Sequence, residues 1–319
     1  MKIKLLSTII ASLIIAGCGS DNDNSVTTPK VKTYTLQAFD GAVKGIEGTF
    51  SCANGETGKV AKTNGYGNSD VSNNTLSTEP EKCTVEFIPT SGAIDMSNSK
   101  DMSNVSYSIP KGLMAAGKPA AATPISSLIA KYMKDNQIAE FDNSTASEVF
   151  SLLEIDTNNL NIIEFLQSPK AALEKLATAA PDAHKDLLAK IFVLSDVLTS
   201  QKGKTSTIKD MAIATKKITE ALISAHPNFP KSSSNGQLIN DSFVSDLKSS
   251  FEIIADPEQQ LPDTLKDKVT NPSTGKERDP ETGEPVTGGT GGGTGGGTGG
   301  GTGGGTGGGD GSSGGGTGN

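Results

Sequence analysis

The chain has no tryptophan, two histidines, three cysteines and 4% aromatic residues, and its only long hydrophobic run is at the N-terminus. Each shortage excludes something. Few aromatics leave little material for base-stacking platforms or for aromatic sugar-binding clefts. A formal net charge of −8, with no basic cluster, excludes the electrostatic footprint of a nucleic-acid or anionic-headgroup binder. With only His184 and His226, both in a helical region, a zinc site or a nucleophile–histidine pair lacks parts. There is no G-x-S-x-G, H-E-x-x-H, phosphate loop or CxxC. No catalytic residue, metal ligand set or cofactor site is therefore expected, although Asp and Glu are plentiful enough that counting alone leaves a carboxylate-pair hydrolase open.

The N-terminus carries the clearest signal. Lys2 and Lys4 precede an apolar run from Leu5 to Ala16, which is too short to cross a ~30 Å hydrocarbon core needing ~20 residues. A charged start, a short apolar stretch and small residues before a cut mark a cleaved leader. Ile15-Ala16-Gly17-Cys18 resembles the bacterial lipobox, in which an aliphatic and two small residues precede the cysteine that becomes residue one. The resemblance implies cleavage after Gly17 and acylation of Cys18. Two or more acyl chains give durable anchoring where one does not. It further implies retention at the outer membrane, because Gly19 stands where an Asp would hold such a protein at the inner one. Whether the body faces the periplasm or the surface stays open. Residues 1–17 are thus the expected leader and 18–32 a polar tether.

With Cys18 given to lipid, Cys52 and Cys83 remain as an even pair in an exported, oxidising setting, so a disulfide is the expectation. The region 33–111 reads as short strands: Tyr34–Phe39, an extended run from Ala42 to Cys52, Cys83–Pro89 and Val105–Ile109, with turns at Asp40-Gly41, Asn54-Gly55 and Asn64-Gly65. This density of strands and turns predicts a small antiparallel β-sandwich.

From Thr123 the apolar period lengthens to about 3.6. Thr123-Pro124 and Ser168-Pro169 pair an N-cap with a first-turn proline. Thr145–Glu148 reads as a capping box, and Thr207–Asp210 caps another helix. Pro181 opens a long helix through Leu198, and Leu238, Phe243, Leu247, Phe251 and Ile254 mark the last. Residues 120–256 are expected to form a helical bundle. His226, before Pro227, suits a helix C-terminus. The Asp156–Asn161 stretch lacks the Gly and closing Glu of a calcium loop.

Two groups of residues resemble a known family. Phe39-Asp40-Gly41-Ala42-Val43-Lys44-Gly45, then Thr63-Asn64-Gly65-Tyr66-Gly67, are similar to the carboxypeptidase-regulatory-like sandwich modules of exported bacterial lipoproteins. Ala122-Thr123-Pro124-Ile125-Ser126-Ser127-Leu128-Ile129 resembles the junction joining sandwich to helices in those proteins. The second motif is shifted and lacks the family's aromatic after the glycine. The resemblance implies a structural or binding module, not a catalytic one.

Residues 257–319 are expected to be disordered. They hold two copies of an eight-residue unit, Asn271–Arg278 and Asp279–Val286, then Gly-Gly-Gly-Thr repeats from Gly288. Glycine carries the largest ordering cost, and such a coil reaches roughly 30 Å at ~5–6 Å × √n. The whole reads as a two-domain α+β protein, without enzymatic activity. Its expected partners are a membrane, through the acyl chains, and a protein or extracellular matrix component, in adhesion or envelope assembly. The alternative is a solute-binding or accessory lipoprotein of an envelope complex.

Overall fold

A computed structural model of the chain describes residues 32–229, 237–239 and 243–286. The leader, Ile15, Ala16, Gly17, Cys18, the tether up to residue 31 and the Gly/Thr repeats lie outside the described residues.

The strand half begins with β1 (Thr33–Ala38), β2 (Val43–Lys44), β3 (Glu47–Cys52), β4 (Thr57–Val60) and β5 (Asn68–Ser72). After the short helix α1 (Asn74–Thr78) come β6 (Cys83–Ile88), β7 (Ile94–Asp95), β8 (Tyr107–Ile109) and β9 (Ala120–Ala122). A four-stranded antiparallel sheet has the order β4-β3-β6-β8, and a three-stranded one the order β5-β1-β9. Period-two burial places Tyr34, Leu36 and Ala38 of β1, and Val85 and Phe87 of β6, on the core side. Asn54-Gly55 makes the β3–β4 turn, with Gly55 at φ +86° and the Asn54 side chain accepting from Glu56 N–H. Cys52 and Cys83 sit directly opposite in the β3–β6 register and form the expected disulfide.

The helices are α2 (Pro124–Asp135), α3 (Asn143–Leu152), α4 (Ile162–Gln167), α5 (Pro169–Ala179), α6 (Pro181–Ser200) and α7 (Ile208–Ala225). Beyond them come β10 (Gln237–Ile239), α8 (Phe243–Ala255), α9 (Asp263–Thr270) and β11 (Ser273–Gly275). The Thr123-Pro124-Ile125-Ser126-Ser127 stretch is the hinge of the fold. Thr123 and Ser126 exchange capping-box bonds, and Ser126 Oγ also donates to Ser108 O of β8 at 2.7 Å. Ser127 Oγ in turn accepts from Ser108 N–H at 2.9 Å. Two hydroxyls thus pin the start of α2 to the end of a sheet while satisfying helix-end donors. Thr207 and Asp210 form the other capping box.

Four expectations are corrected. The Thr145–Glu148 box does not open α3: Asp142 is the N-cap, its carboxylate accepting from Thr145 N–H at 2.7 Å, and Thr145 lies inside the first turn. Leu238 belongs to β10, not to the last helix. Ala120–Ala122, placed at the start of the bundle, is a buried strand parallel to β1, so the strands are not all antiparallel. Its three small side chains carry no period, and burial on both faces hides the alternation that marks a strand.

The fourth concerns disorder from residue 257. Helix α9 buries Leu265 and Val269, spaced by one turn, and β11 pairs with β10. Residues 276–286 then form a strap that returns to the strand half: Arg278 N–H donates to Met96 O at 2.8 Å, and Arg278 Nε to Ser99 Oγ at 2.9 Å. Pro280 lies against Gly65, where any Cβ would meet its carbonyl oxygen. The Asp279 carboxylate accepts from the N–H groups of Glu281 and Thr282, closing a turn that ends at Gly283 with φ +77°.

Strands and helices share one contiguous hydrophobic core running from Tyr34 to Val269, and the residues up to Val286 form a single compact unit of mixed α and β structure. Cationic side chains tie helix ends together. Lys190 Nζ on α6 donates to Glu154 O just beyond α3 at 2.7 Å, and Lys217 on α7 donates to Gln259 O at 2.7 Å and to Asp256 O beyond α8. Cations at helix C-termini meet the negative end of the helix dipole.

Candidate functional site

Between the strand half and α6 lies a cluster of buried charge. Its first member, Asp40, follows β1 in the Phe39–Ala42 turn and is 1% exposed. The next residue, Gly41, has no room for a side chain: a Cβ would meet Ser97 Oγ at 2.5 Å and Asp95 Oδ1 at 2.6 Å. The Asp40-Gly41 pair therefore serves close approach of a second loop as well as a turn.

That loop runs from Asp95 to Asp101. Asp95 Oδ1 accepts from the N–H and Oγ of Ser97, both at 2.7 Å, and Asn98 Oδ1 accepts from Lys100 N–H at 2.9 Å. Ser99 stands at φ +64°, its N–H donating to Asp95 O at 2.8 Å. This winding turns the Lys100 side chain inward, where its ammonium pairs with Asp196 of α6; the two side chains are 12% and 11% exposed.

Tyr107 on β8 completes the cluster. Its hydroxyl lies 2.6 Å from Asp40 Oδ2 and 2.7 Å from Ser195 Oγ of α6. A phenol has one proton to donate. With Asp40 ionised that proton goes to the carboxylate, and Ser195 donates to the phenolic oxygen. Helix α6 thus meets the strand half through two consecutive polar residues, Ser195 and Asp196, set in an otherwise apolar run.

Two carboxylate oxygens in the cluster, Asp40 Oδ1 and Asp95 Oδ2, have no hydrogen-bond partner among the described residues. Burial pushes the Asp40 carboxyl up to about 7, helped by the neighbouring Asp95 charge and opposed by Lys100, Ser195 and Tyr107. Burial also raises Asp95, against the pull of its Ser97 bonds, and raises Asp196 in spite of Lys100. Burial alone would lower Lys100, but the charges of Asp196, Asp40 and Asp95 hold it protonated. Tyr107 is pushed far above the ordinary phenol range by burial and by Asp40.

Lys100 and Asp196 also border two spaces. One is a cavity of about 40 Å³ walled largely by apolar side chains, Phe192, Leu222, Phe229 and Phe243 among them, room for a water molecule or two. The other is a groove of about 630 Å³ between the 89–105 region, α6 and α8. Neither is lined by Asp40, Asp95 or Tyr107. The arrangement suits holding charge in a dry joint. It offers no substrate a path to the Asp40 and Asp95 carboxyls, and Ser195 has the Tyr107 phenol, not a general base, as its partner.

Among the described residues no group of three or more His, Cys, Asp or Glu side chains is placed to hold a metal ion, and no helix is long and apolar enough to cross a membrane. His226 is the C-cap of α7, and its Nε2 donates toward Val269 O and Thr270 O at the end of α9. His184 lies half-buried on α6.

Of the sites read from sequence, Cys52 and Cys83 are brought together. The cluster itself escaped that reading. Signals existed: Tyr107 falls on the inward phase of β8 with Ile109, where a hydroxyl needs a partner, and Asp196 interrupts the apolar face that Ile191, Leu194 and Val197 make on α6. No protein-family model, curated protein or solved structure matches this chain.

Proposed function

We propose that this protein is a lipid-anchored interaction protein of the bacterial cell envelope, held at the outer membrane by acyl chains on Cys18 and acting in adhesion, matrix contact or envelope assembly without catalysing a reaction. The observation that carries the reading is the Ile15-Ala16-Gly17-Cys18 sequence at the end of a short apolar run. The disulfide supports it, since such bonds persist in oxidising compartments. In this reading the strand half is a sandwich-like module of the kind borne by exported lipoproteins, with the helices as a second functional region and the Gly/Thr repeats as a flexible extension.

Closure of the Asp40 and Asp95 carboxyls to solvent argues against a carboxylate hydrolase. The groove beside Lys100 and Asp196 favours a second reading, an accessory lipoprotein that holds a solute or a partner segment there.

The test is metabolic labelling with a fatty acid in the wild type and a Cys18→Ala variant, followed by cross-linking pull-down with and without residues 287–319. Label that depends on Cys18, with a partner captured from the envelope, is the expected result. Label that persists in Cys18→Ala overturns the anchor. Loss of the tail by protease only in lysed cells, with full survival on intact ones, overturns surface display.

A further inference from the structure

The cluster between the strand half and α6 does not balance its charge. Three carboxyls, Asp40, Asp95 and Asp196, face one ammonium, Lys100, which is directly paired with Asp196. Asp40 and Asp95 are 1% and 0% exposed, and each leaves one oxygen without a partner among the described residues. A buried ionised carboxylate that lacks a partner is among the costliest groups a fold can hold, and the usual relief is neutralisation by a proton. Two carboxyls set close together do not both ionise readily.

We propose that Asp40 carries a proton in the folded protein and that releasing it loosens the joint between the strand half and α6, so the protein holds a built-in pH-sensitive latch. The groups that face it are Asp95 of β7, Lys100 of the following loop, Tyr107 of β8 and Ser195 and Asp196 of α6. Arg278 of the strap sits behind the same loop on Ser99. Asp40 is the member placed to act on the joint, because Tyr107 bonds both it and Ser195. Ionising Asp40 adds a buried negative charge beside Asp95, with Lys100 already paired to Asp196, and it falls on the contact that holds α6.

The direction follows from linkage. Asp40 in the unfolded chain ionises near the ordinary carboxylate value of about 4, whereas the folded group keeps its proton until about 7. Between those values the folded state binds more protons than the unfolded one. Stability therefore falls as pH rises through this window and levels off above it. Lys100 titrates above the window. An Asp40 variant leaves every other titratable group, both histidines included, in place.

The experiment is thermal unfolding of the full chain from pH 5 to 8 at constant ionic strength, for wild type, Asp40→Asn and Asp95→Asn, together with carbon-13 titration of the aspartate carboxyls in the wild type. The expected results are a wild-type Tm that drops by several degrees toward pH 8, a flatter profile in both variants, and an Asp40 carboxyl midpoint near neutrality. An Asp40 midpoint near 4 overturns the proposal, as does an Asp40→Asn profile with the wild-type slope. If millimolar calcium or sodium abolishes the slope in wild type, the cluster binds a metal cation in place of the proton and the proposal fails. Should Asp40→Asn not fold, the wild-type carboxyl titration and the Asp95→Asn profile decide by the same criteria.

Discussion

Tyr107 and Asp40 are 67 positions apart in the chain, yet the phenol of one lies 2.6 Å from the carboxylate of the other in the interior. The same phenol lies 2.7 Å from Ser195 Oγ, so a single hydroxyl joins the turn after β1, β8 and α6. Replacing Tyr107 by Phe keeps the ring and deletes that hydroxyl. Asp40 and Ser195 then each lose their bond to that hydroxyl. A loss of about 1–3 kcal/mol is expected, measured by urea unfolding at pH 7. A change below a few tenths of a kcal/mol would show that the bond contributes nothing net.

The disulfide closes a loop of 31 residues between β3 and β6. In the chain-entropy account, losing a crosslink of that span costs about 3–4 kcal/mol. The Cys52→Ala/Cys83→Ala double variant should unfold at correspondingly lower denaturant, and reduction of the wild type should bring it to the same midpoint. An unchanged midpoint in the double variant would mean that the β3–β6 ladder is self-sufficient.

The strap from Lys276 to Val286 depends on Gly65. A Cβ there would overlap the Pro280 carbonyl, and backbone cannot swing aside as a side chain can. Gly65→Ala should therefore lift the strap and expose Lys276 and Arg278 to trypsin, read as faster cleavage at those two sites with little change elsewhere. Arg278→Ala, which deletes the bonds to Ser99 Oγ and Gly283 O, should increase cleavage at Lys276 in the same way. Equal cleavage rates in wild type and both variants would show that the strap is not held by these contacts.

Asp142 is the N-cap of α3, and bonds from the Thr145 backbone N–H, then from Ser144 and Thr145 side chains, hold its carboxyl down at about 2. Its folded value lies below the unfolded one, so the stabilisation is present above about pH 4 and is lost as pH falls toward 2. Asp142→Asn keeps a capping oxygen but removes the titration. Its acid-unfolding profile should be shallower between pH 4 and 2 than that of wild type, followed by helical circular dichroism. An identical profile would assign acid sensitivity to other carboxylates.

Local rules were legible where the physics is local. The Thr123-Pro124 and Thr207–Asp210 caps, the Asn54-Gly55 turn and the strands read at Tyr34–Phe39 and Cys83–Pro89 depend on residues within a turn or a strand of one another, and the structure forms them close to where they were read. The misread elements are those whose burial is decided from outside. Ala120–Ala122 shows no period because both faces are covered. Thr145 looks like a cap until Asp142, three residues earlier, takes the position. The segment around α9 looks like linker because Pro, Thr and Gly surround two inward residues, Leu265 and Val269.

By itself, the sequence determined the pairing of Cys52 with Cys83 and the mix of short strands followed by helices, and it carries the lipobox-like Ile15–Cys18 on which the proposed anchor rests. Only the tertiary structure decided that strands and helices share one core, and that Asp40, Asp95, Lys100, Tyr107, Ser195 and Asp196 meet inside it. The reason is range. Caps, turns and periodicity act over a few residues, whereas a buried charge cluster exists only when separate elements close over it and shut out the water that would otherwise solvate each group.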